Sequence, residues 1–469
     1  MLKLIIEKEL KEIIGSTKFV VTFAVCAVLI LLTFYVAGRN YQLNRTRYEA
    51  AKAENMRHLE GLTDWVMVRN HRIFLPPDPL STLVTGVAND INRTVDITTG
   101  AELVAHDSRF NDDPVFAIFR FLDLTFVFQV VLSLFAILFA YDAINGEKER
   151  GTLKLTFANG IPRTHYIVGK VIGSFSALAV PLLIPFLIGC LILPVFGIHF
   201  TGEQWARLAL IFVTGLLYFA VFLVLSIFLS TVNKRSANSF LLALVVWVFA
   251  VLIIPRSAVL LAGRSVPVPS VDEIASKKNT LQRQLWTEHR KAMLGFRSTK
   301  SSDDPQELIN EFQQFMSDLN DKRDKETRAL AGKLNEERRN WQIQQNNLAM
   351  GLASISPAAS FDLAVTHIAG SSLELKEHYL KEAQNYQESY AEFMREKTGM
   401  NTGGAIIMRI EDGEEKKEID PHELPVFAFR EISFSDSIAA AAPHLALLVV
   451  FNVVFFAAAF VAFLRFDVR

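Results

Sequence analysis

The segment Asn145-Gly146-Glu147-Lys148-Glu149-Arg150-Gly151-Thr152-Leu153 separates two long apolar runs, Phe121 to Tyr141 before it and Val171 to Phe196 after it. Each run has the roughly 20 apolar residues that cross a bilayer as a helix, so the charged stretch between them returns to water. Four further runs have the same character: 19–37, 208–229, 240–261 and 438–464. Lipid offers the backbone no hydrogen-bond partner, so all six are read as helices. With 51% hydrophobic residues and 37 Phe among 469, the composition suits lipid better than water. A net charge of −1 gives no electrostatic reason to expect nucleic acid. The expectation is an all-α polytopic membrane protein with six transmembrane helices.

Orientation follows from Lys and Arg. Lys3, Lys8, Lys11 and Lys18 lie in segment 1–18, and Lys148, Arg150, Lys154, Arg163 and Lys170 in loop 142–170; Lys234 and Arg235 follow the fourth span, and Arg465 and Arg469 end the chain. Alternating spans put all four segments on one side, which the positive-inside rule makes cytoplasmic. The short opposite loop, 197–206, has no Lys or Arg, which agrees. Both termini are expected in the cytoplasm, in the plasma (inner) membrane of a bacterium. Gly38, Arg39 and Asn40 after the first run do not make a small-residue cleavage site, so that run is expected to be retained. Cys26 and Cys190 both fall inside spans and read as soft apolar filler.

Segments 38–120 and 262–436 remain outside, polar and mostly helical in pattern, and are expected to build one large, mainly helical extracytoplasmic domain. A helix is expected from Tyr41 to Leu62, then extended chain at Trp65 to Val68, then a break at Leu75-Pro76-Pro77-Asp78-Pro79-Leu80-Ser81. Phe312, Phe315, Leu319, Leu330, Leu334 and Trp341 recur at helical spacing, as do Tyr379, Ala383, Tyr386, Tyr390 and Phe393. The two series are separated by a break near Ser354-Ile355-Ser356-Pro357 and read as a helical hairpin or bundle. Ala405 to Ile410 and Val426 to Ile432 are expected to add a small sheet. The tyrosines read as core. Asn44 and Asn92 each open an Asn-Arg-Thr triplet, a glycan acceptor pattern with meaning only in a eukaryotic secretory pathway.

Catalytic chemistry is absent from the pattern. No Gly-rich phosphate loop ends in Gly-Lys-Ser or Gly-Lys-Thr, and no His-Glu-x-x-His pair occurs. His71, His106, His289 and His378 are expected at the surface, and no metal or cofactor site is expected. Asp123, Asp142 and Arg256 lie near span ends, with Gln129 and Asn452 the main polar residues further in, so ion coupling through buried charge is disfavoured.

Energy is then expected from outside the chain. Leu2, Ile5, Ile6, Leu10 and Ile13 form the apolar stripe of an amphipathic helix along the inner membrane face. The pattern Glu147-x-Glu149-x-Gly151-Thr152-Leu153, followed by Pro162-x-x-x-Tyr166 and Gly169-Lys170, resembles the loop between the second and third spans of the membrane (permease) subunits of type-2 ABC exporters. The likeness extends to the amphipathic start, the six spans and the inside C-terminus. Pro77-x-Pro79-Leu80-Ser81 and Ile355-Ser356-Pro357 resemble a subgroup with enlarged extracytoplasmic inserts.

The resemblance implies a coupling helix in 142–170, with Glu147, Glu149, Gly151, Thr152 and Leu153 contacting a separate ABC-type ATPase subunit. Lys234 and Arg235, beside Asn233, form a smaller second contact. It also implies ATP and Mg in that partner rather than here, and a pathway completed by a second permease copy or a paralogous permease. Membrane lipids and an extracytoplasmic partner protein complete the expected partners. The function implied is a non-enzymatic permease that exports or mechanically handles an envelope or lipid-like substrate. The alternative is a membrane sensor or scaffold with a helical extracytoplasmic interaction domain.

Overall fold

The computed structural model describes residues 1–68, 71–88, 90–91, 93–98, 103–106, 123–297, 305–398 and 418–465. The expected strand Ala405–Ile410, the Asn92 triplet, the side chain of His106 and Arg469 lie outside them. Among the described residues six helices are long and apolar enough to cross a membrane, and the protein is a helical multi-pass membrane protein.

Helix α1 (Leu2–Ile14) lies across the foot of the bundle, and Gly15 and Ser16 turn the chain into α2 (Thr17–Arg57). The Ser16 hydroxyl starts α2 by accepting the Phe19 amide at 3.2 Å. No break separates the first apolar run from the helix expected at Tyr41, so α2 is one rod of 41 residues. Nothing at Gly38-Arg39-Asn40 forces a stop, because a lone Gly is tolerated inside a helix.

Beyond α2, Trp65–Met67 form a 3-10 turn rather than extended chain, since the Asp64 carboxylate accepts the Val66 amide. There follow β1 (His71–Phe74), a short α3 (Leu80–Leu83), β2 (Thr94–Ile97) and β3 (Val104–His106). They pair antiparallel in the order β1-β2-β3, with His71 opposite Ile97 and Thr94 opposite His106.

The second span, α4, joins Leu124–Phe126, a π-helical segment Val127–Leu132 and Ser133–Ala140. Two short helices follow, α5 (Asn145–Glu149) and α6 (Thr152–Ala158). Next come α7 (Arg163–Ile192) and α8 (Gly202–Val232). The fifth span, α9, again carries a π segment, Val248–Ile253, between Ser236–Trp247 and Ile254–Ser265.

Away from the termini, α10 (Val271–Leu294) and the 49-residue α11 (Pro305–Ala353) pack against each other, whereas the expected hairpin paired the Phe312–Trp341 series with the Tyr379–Phe393 series. Arg323 lies over the Trp286 ring at 4.9 Å, and Arg338 donates to the Pro269 carbonyl at 3.0 Å. Of the apolar series expected along its seam, Leu334 is buried, while Phe312 and Trp341 remain exposed.

The break at Ser354–Ser356 opens α12 (Pro357–Ala369), which does not stand off the membrane. Its Ala358, Phe361, Val365 and Ile368 are buried in the same core as the spans. Ser356 caps its start, and Gly370, at φ 72, closes it in the left-handed region. The two π segments grip its first turn. The Ser356 hydroxyl donates to the Ala250 carbonyl of α9, and Gln129 of α4 donates to the Ala358 carbonyl at 3.3 Å. Arg207 of α8, 4% exposed, donates to the Ile368 and Ile432 carbonyls and to Ser437, fixing the other end. Asn452 of the last span, α14 (Phe434–Leu464), donates to the Leu217 carbonyl of α8 at 3.0 Å.

Helix α13 (Glu374–Thr398) covers the sheet. Tyr379, Ala383, Tyr386 and Tyr390 form a second core with Trp65, Ile73, Val95 and Ile97, as expected of core tyrosines. Val426 to Ile432 run beside it without joining a sheet. Side chains take carbonyls that a ladder would have used: Tyr386 donates to Pro425 O at 2.9 Å, and His378 Nε2 lies 2.6 Å from Arg430 O. Two histidines expected at the surface, His71 and His289, are buried. Asn44 is buried within α2, which leaves no room for a glycan.

Candidate functional site

The loop between α4 and α7 gathers at the face that carries α1 and the end of α14, the terminal face. Chain reversal after Ala140 leaves the first amides of α5 without helical partners. Ser230 of α8 supplies one: its hydroxyl accepts the Ile144 and Asn145 amides at 3.1 and 3.2 Å and donates to Asn145 Oδ1 at 2.9 Å. Asn145 then donates to Ser239 of α9 at 2.7 Å. The loop is thereby seated on the junction of the fourth and fifth spans. Gly151, at φ 74, makes the corner between α5 and α6, a conformation that strains a residue with a Cβ.

Glu147 points inward from α5. Its Oε1 accepts from Lys8 Nζ of α1 at 2.9 Å and pairs with Lys170 Nζ of α7 at 3.0 Å, while Tyr166 Oη donates to Oε2 at 2.7 Å. Lys170 also pairs with Glu9 Oε2 at 2.8 Å, and Ser174 donates to the other Glu9 oxygen at 3.3 Å. Two lysines and two glutamates thus balance in a site where Glu147, Lys170 and Glu9 are each at most 5% exposed. Removing one member of such a cluster leaves an uncompensated buried charge, at a cost of about 3–5 kcal/mol. Glu9, Glu12 and Glu147 bring carboxylate oxygens within 4.8 Å of one another, a spacing a cation could bridge. Lys170 already neutralises two of them.

The backbone permits this approach. On α7, a Cβ at Gly169 would meet Ile5 at 2.8 Å, and one at Gly173 would meet Glu9 Cβ at 2.8 Å. The two glycines flank Lys170 on one helix face four residues apart, the small-residue spacing that lets helix backbones close up.

A family model for ABC-2 family transporter proteins matches residues 4–468. The chain belongs to the ABC-2 transporter family. No curated protein sequence matches it. Membership makes this ABC-2 protein a membrane component of transport and implies an ABC-type ATPase partner.

Within this ABC-2 transporter the residues singled out by sequence fall into two groups. Glu147 and Leu153 are buried, Leu153 at 1% exposure. Gly151, Thr152, Lys234 and Arg235 are exposed, as is Glu149, which reaches the second loop: its carboxylate accepts the Ser236 amide at 2.8 Å and lies 3.0 Å from the Ser236 hydroxyl. The two loops expected to act together are therefore hydrogen-bonded to each other.

Sequence reading missed the cluster partners. The buried face of α1 is Ile5, Glu9 and Ile13, not a purely apolar stripe. The available signal was a glutamate at i+4 from one isoleucine and i−4 from the next. It also passed over Leu155, which projects from α6 at 67% exposure beside exposed Lys154.

Proposed function

We propose that this chain is the permease subunit of an ATP-driven transporter in a bacterial inner membrane, with the terminal face in the cytoplasm. A separate ATPase, holding ATP and Mg, docks on α6 and the neighbouring loop of Lys234 and Arg235. The chain itself carries no catalytic step. The observation that carries this reading is the mounting of α6: an exposed Leu155 and Lys154 on a short helix whose root is an ionic cluster buried against α1 and α7. An exposed apolar side chain on a rigid base offers a partner surface that gains by leaving water.

Glu149, Gly151, Thr152, Lys234 and Arg235 form the docking surface in this reading. Glu147 and Leu153 transmit force beneath it. Movement of α6 is passed to the spans through Glu147, and two permeases, identical or paralogous, rock between inward- and outward-open states. The large portion on the opposite, distal face is the extracytoplasmic domain of a subgroup with enlarged inserts. The substrate, exported or mechanically handled, is an envelope or lipid-like molecule.

Co-purification tests the docking. Wild-type protein is expected to bring an ABC-type ATPase with it, and Leu155→Asp to reduce the recovered ATPase about tenfold or more, a hot-spot effect. Recovery of wild-type protein with no ATPase, together with distal-face ligands that alter partner binding at the terminal face, overturns the reading in favour of a sensor.

A further inference from the structure

A cavity of about 900 Å³ opens at the distal end of the spans, between the start of α4, the flank of α12 and the base of α11. Its volume lies in the range of small-molecule sites, about 300–1,000 Å³. The lining carries four carboxylates, Asp123, Asp362, Glu374 and Glu377, and no Lys or Arg among the described residues. His367 lies 3.7 Å from Glu374.

The two inner carboxylates differ in what they already hold. Asp123 is engaged as a helix cap: it accepts the Phe126 amide at 2.8 Å and the Thr85 amide at 3.2 Å. The carboxylate of Asp362, on the cavity side of α12, has no hydrogen bond or ion pair among the described residues; only the Asp362 carbonyl is engaged, by the Thr366 hydroxyl. Two further lining groups are left open. The hydroxyls of Thr125 and Ser371 are buried, the residues being 7% and 0% exposed, and neither has a hydrogen-bond partner among the described residues. A buried hydroxyl without a partner costs about 1–3 kcal/mol, so both are groups that a ligand would satisfy. The remaining wall includes Phe126, Ile343, Met350 and Leu363, an apolar surface that a bare metal ion would not use.

We propose that this cavity binds a monovalent organic cation with an apolar body, its charge against the Asp362 carboxylate and its polar atoms on the Thr125 and Ser371 hydroxyls. Gln129, which lines the same cavity, also holds the first turn of α12, so occupancy bears on the contact between α4 and α12. As a substrate class the cation rests on the transport reading above; as a binding event it does not.

The test therefore uses the full-length chain alone, in nanodiscs of zwitterionic lipid, with radiolabelled tetraphenylphosphonium as probe and empty nanodiscs subtracted. Saturable binding is expected, weakened about tenfold or more by Asp362→Asn, the scale for losing one partner of a buried charge pair. Asp362→Glu is expected to retain most of the affinity. Thermal unfolding of each variant should match the parent. The size-matched anion tetraphenylborate is expected not to saturate. The proposal is overturned by absence of saturable binding, by equal affinity in a folded Asp362→Asn variant, by equal binding of the anion, or by displacement of the probe by magnesium or calcium ions at micromolar concentration. None of these outcomes touches ATPase co-purification, which decides the transport reading separately.

Discussion

Lys170 is the residue on which the terminal face balances, because among the described residues it alone pairs with both Glu9 and Glu147. Lys170→Met should lower the unfolding free energy by about 3–5 kcal/mol, measured by denaturant titration of the purified protein. Adding Glu9→Gln should recover much of that loss, since Lys8 still neutralises Glu147. A second buried group sets a pH dependence at the distal face. His71 lies 2.8 Å from Tyr386 Oη, which donates onward to Pro425, so Nε2 carries the proton and the ring is neutral. Burial pushes its pKa from 6.5 down to about 4. Between those values the unfolded chain binds the extra proton. His71 therefore contributes fully above pH 6.5, and about 3 kcal/mol is lost as pH falls to 4. Asp78 works in the opposite sense. Burial raises its carboxyl from 3.8 to about 6, so its contribution is present at low pH and lost as pH rises through 6. Comparing the parent with His71→Phe separates the two: the protection factors of β1 and α13 against hydrogen exchange, taken relative to the intrinsic rate at each pH, should fall between pH 6.5 and 4 in the parent, and less in the variant.

At the scale of elements, the contact of α1 with α7 depends on the absence of side chains at Gly169 and Gly173. Gly173→Leu would drive a side chain into Glu9 and should cost about 1–3 kcal/mol through overpacking. Trypsin cleavage at Lys8 and Lys11 should then rise several-fold while the spans remain protected. The spans themselves were legible, since hydropathy over 20 residues reports what lipid demands wherever a helix meets it. Helix α12 was not. At 13 residues it is too short to signal a span, and its apolar face is satisfied by α8 and α14 rather than by lipid. The π segments were equally silent, because an extra residue in a turn changes hydrogen bonding without changing composition. Glu147 was found by motif but assigned to the surface. A glutamate's burial depends on Lys8 and Lys170, far away in sequence, and no local pattern records that pairing.

At the scale of the whole molecule, α2 runs along the side of the bundle from the terminal face to the distal sheet. Helix α2 is fixed at the far end to the sheet, where Asn55 donates to Arg72 O at 3.0 Å and accepts the Arg72 amide at 3.1 Å. A proline at exposed Gln42 would break its backbone hydrogen bonding at about 3 kcal/mol. Gln42→Pro should leave ATPase co-purification intact while abolishing stimulation of ATP hydrolysis by cargo, read from hydrolysis rates in nanodiscs. The reason lies in the unbroken length of α2. Its 41 residues, at 1.5 Å each, make a rod about 60 Å long. It is jointed at Gly15 and Ser16 to the helix that carries Lys8 and Glu9. A tilt of about 5° at that joint swings the opposite end through about 5 Å. An oar of this length needs only a small stroke at the handle to sweep the sheet at its blade.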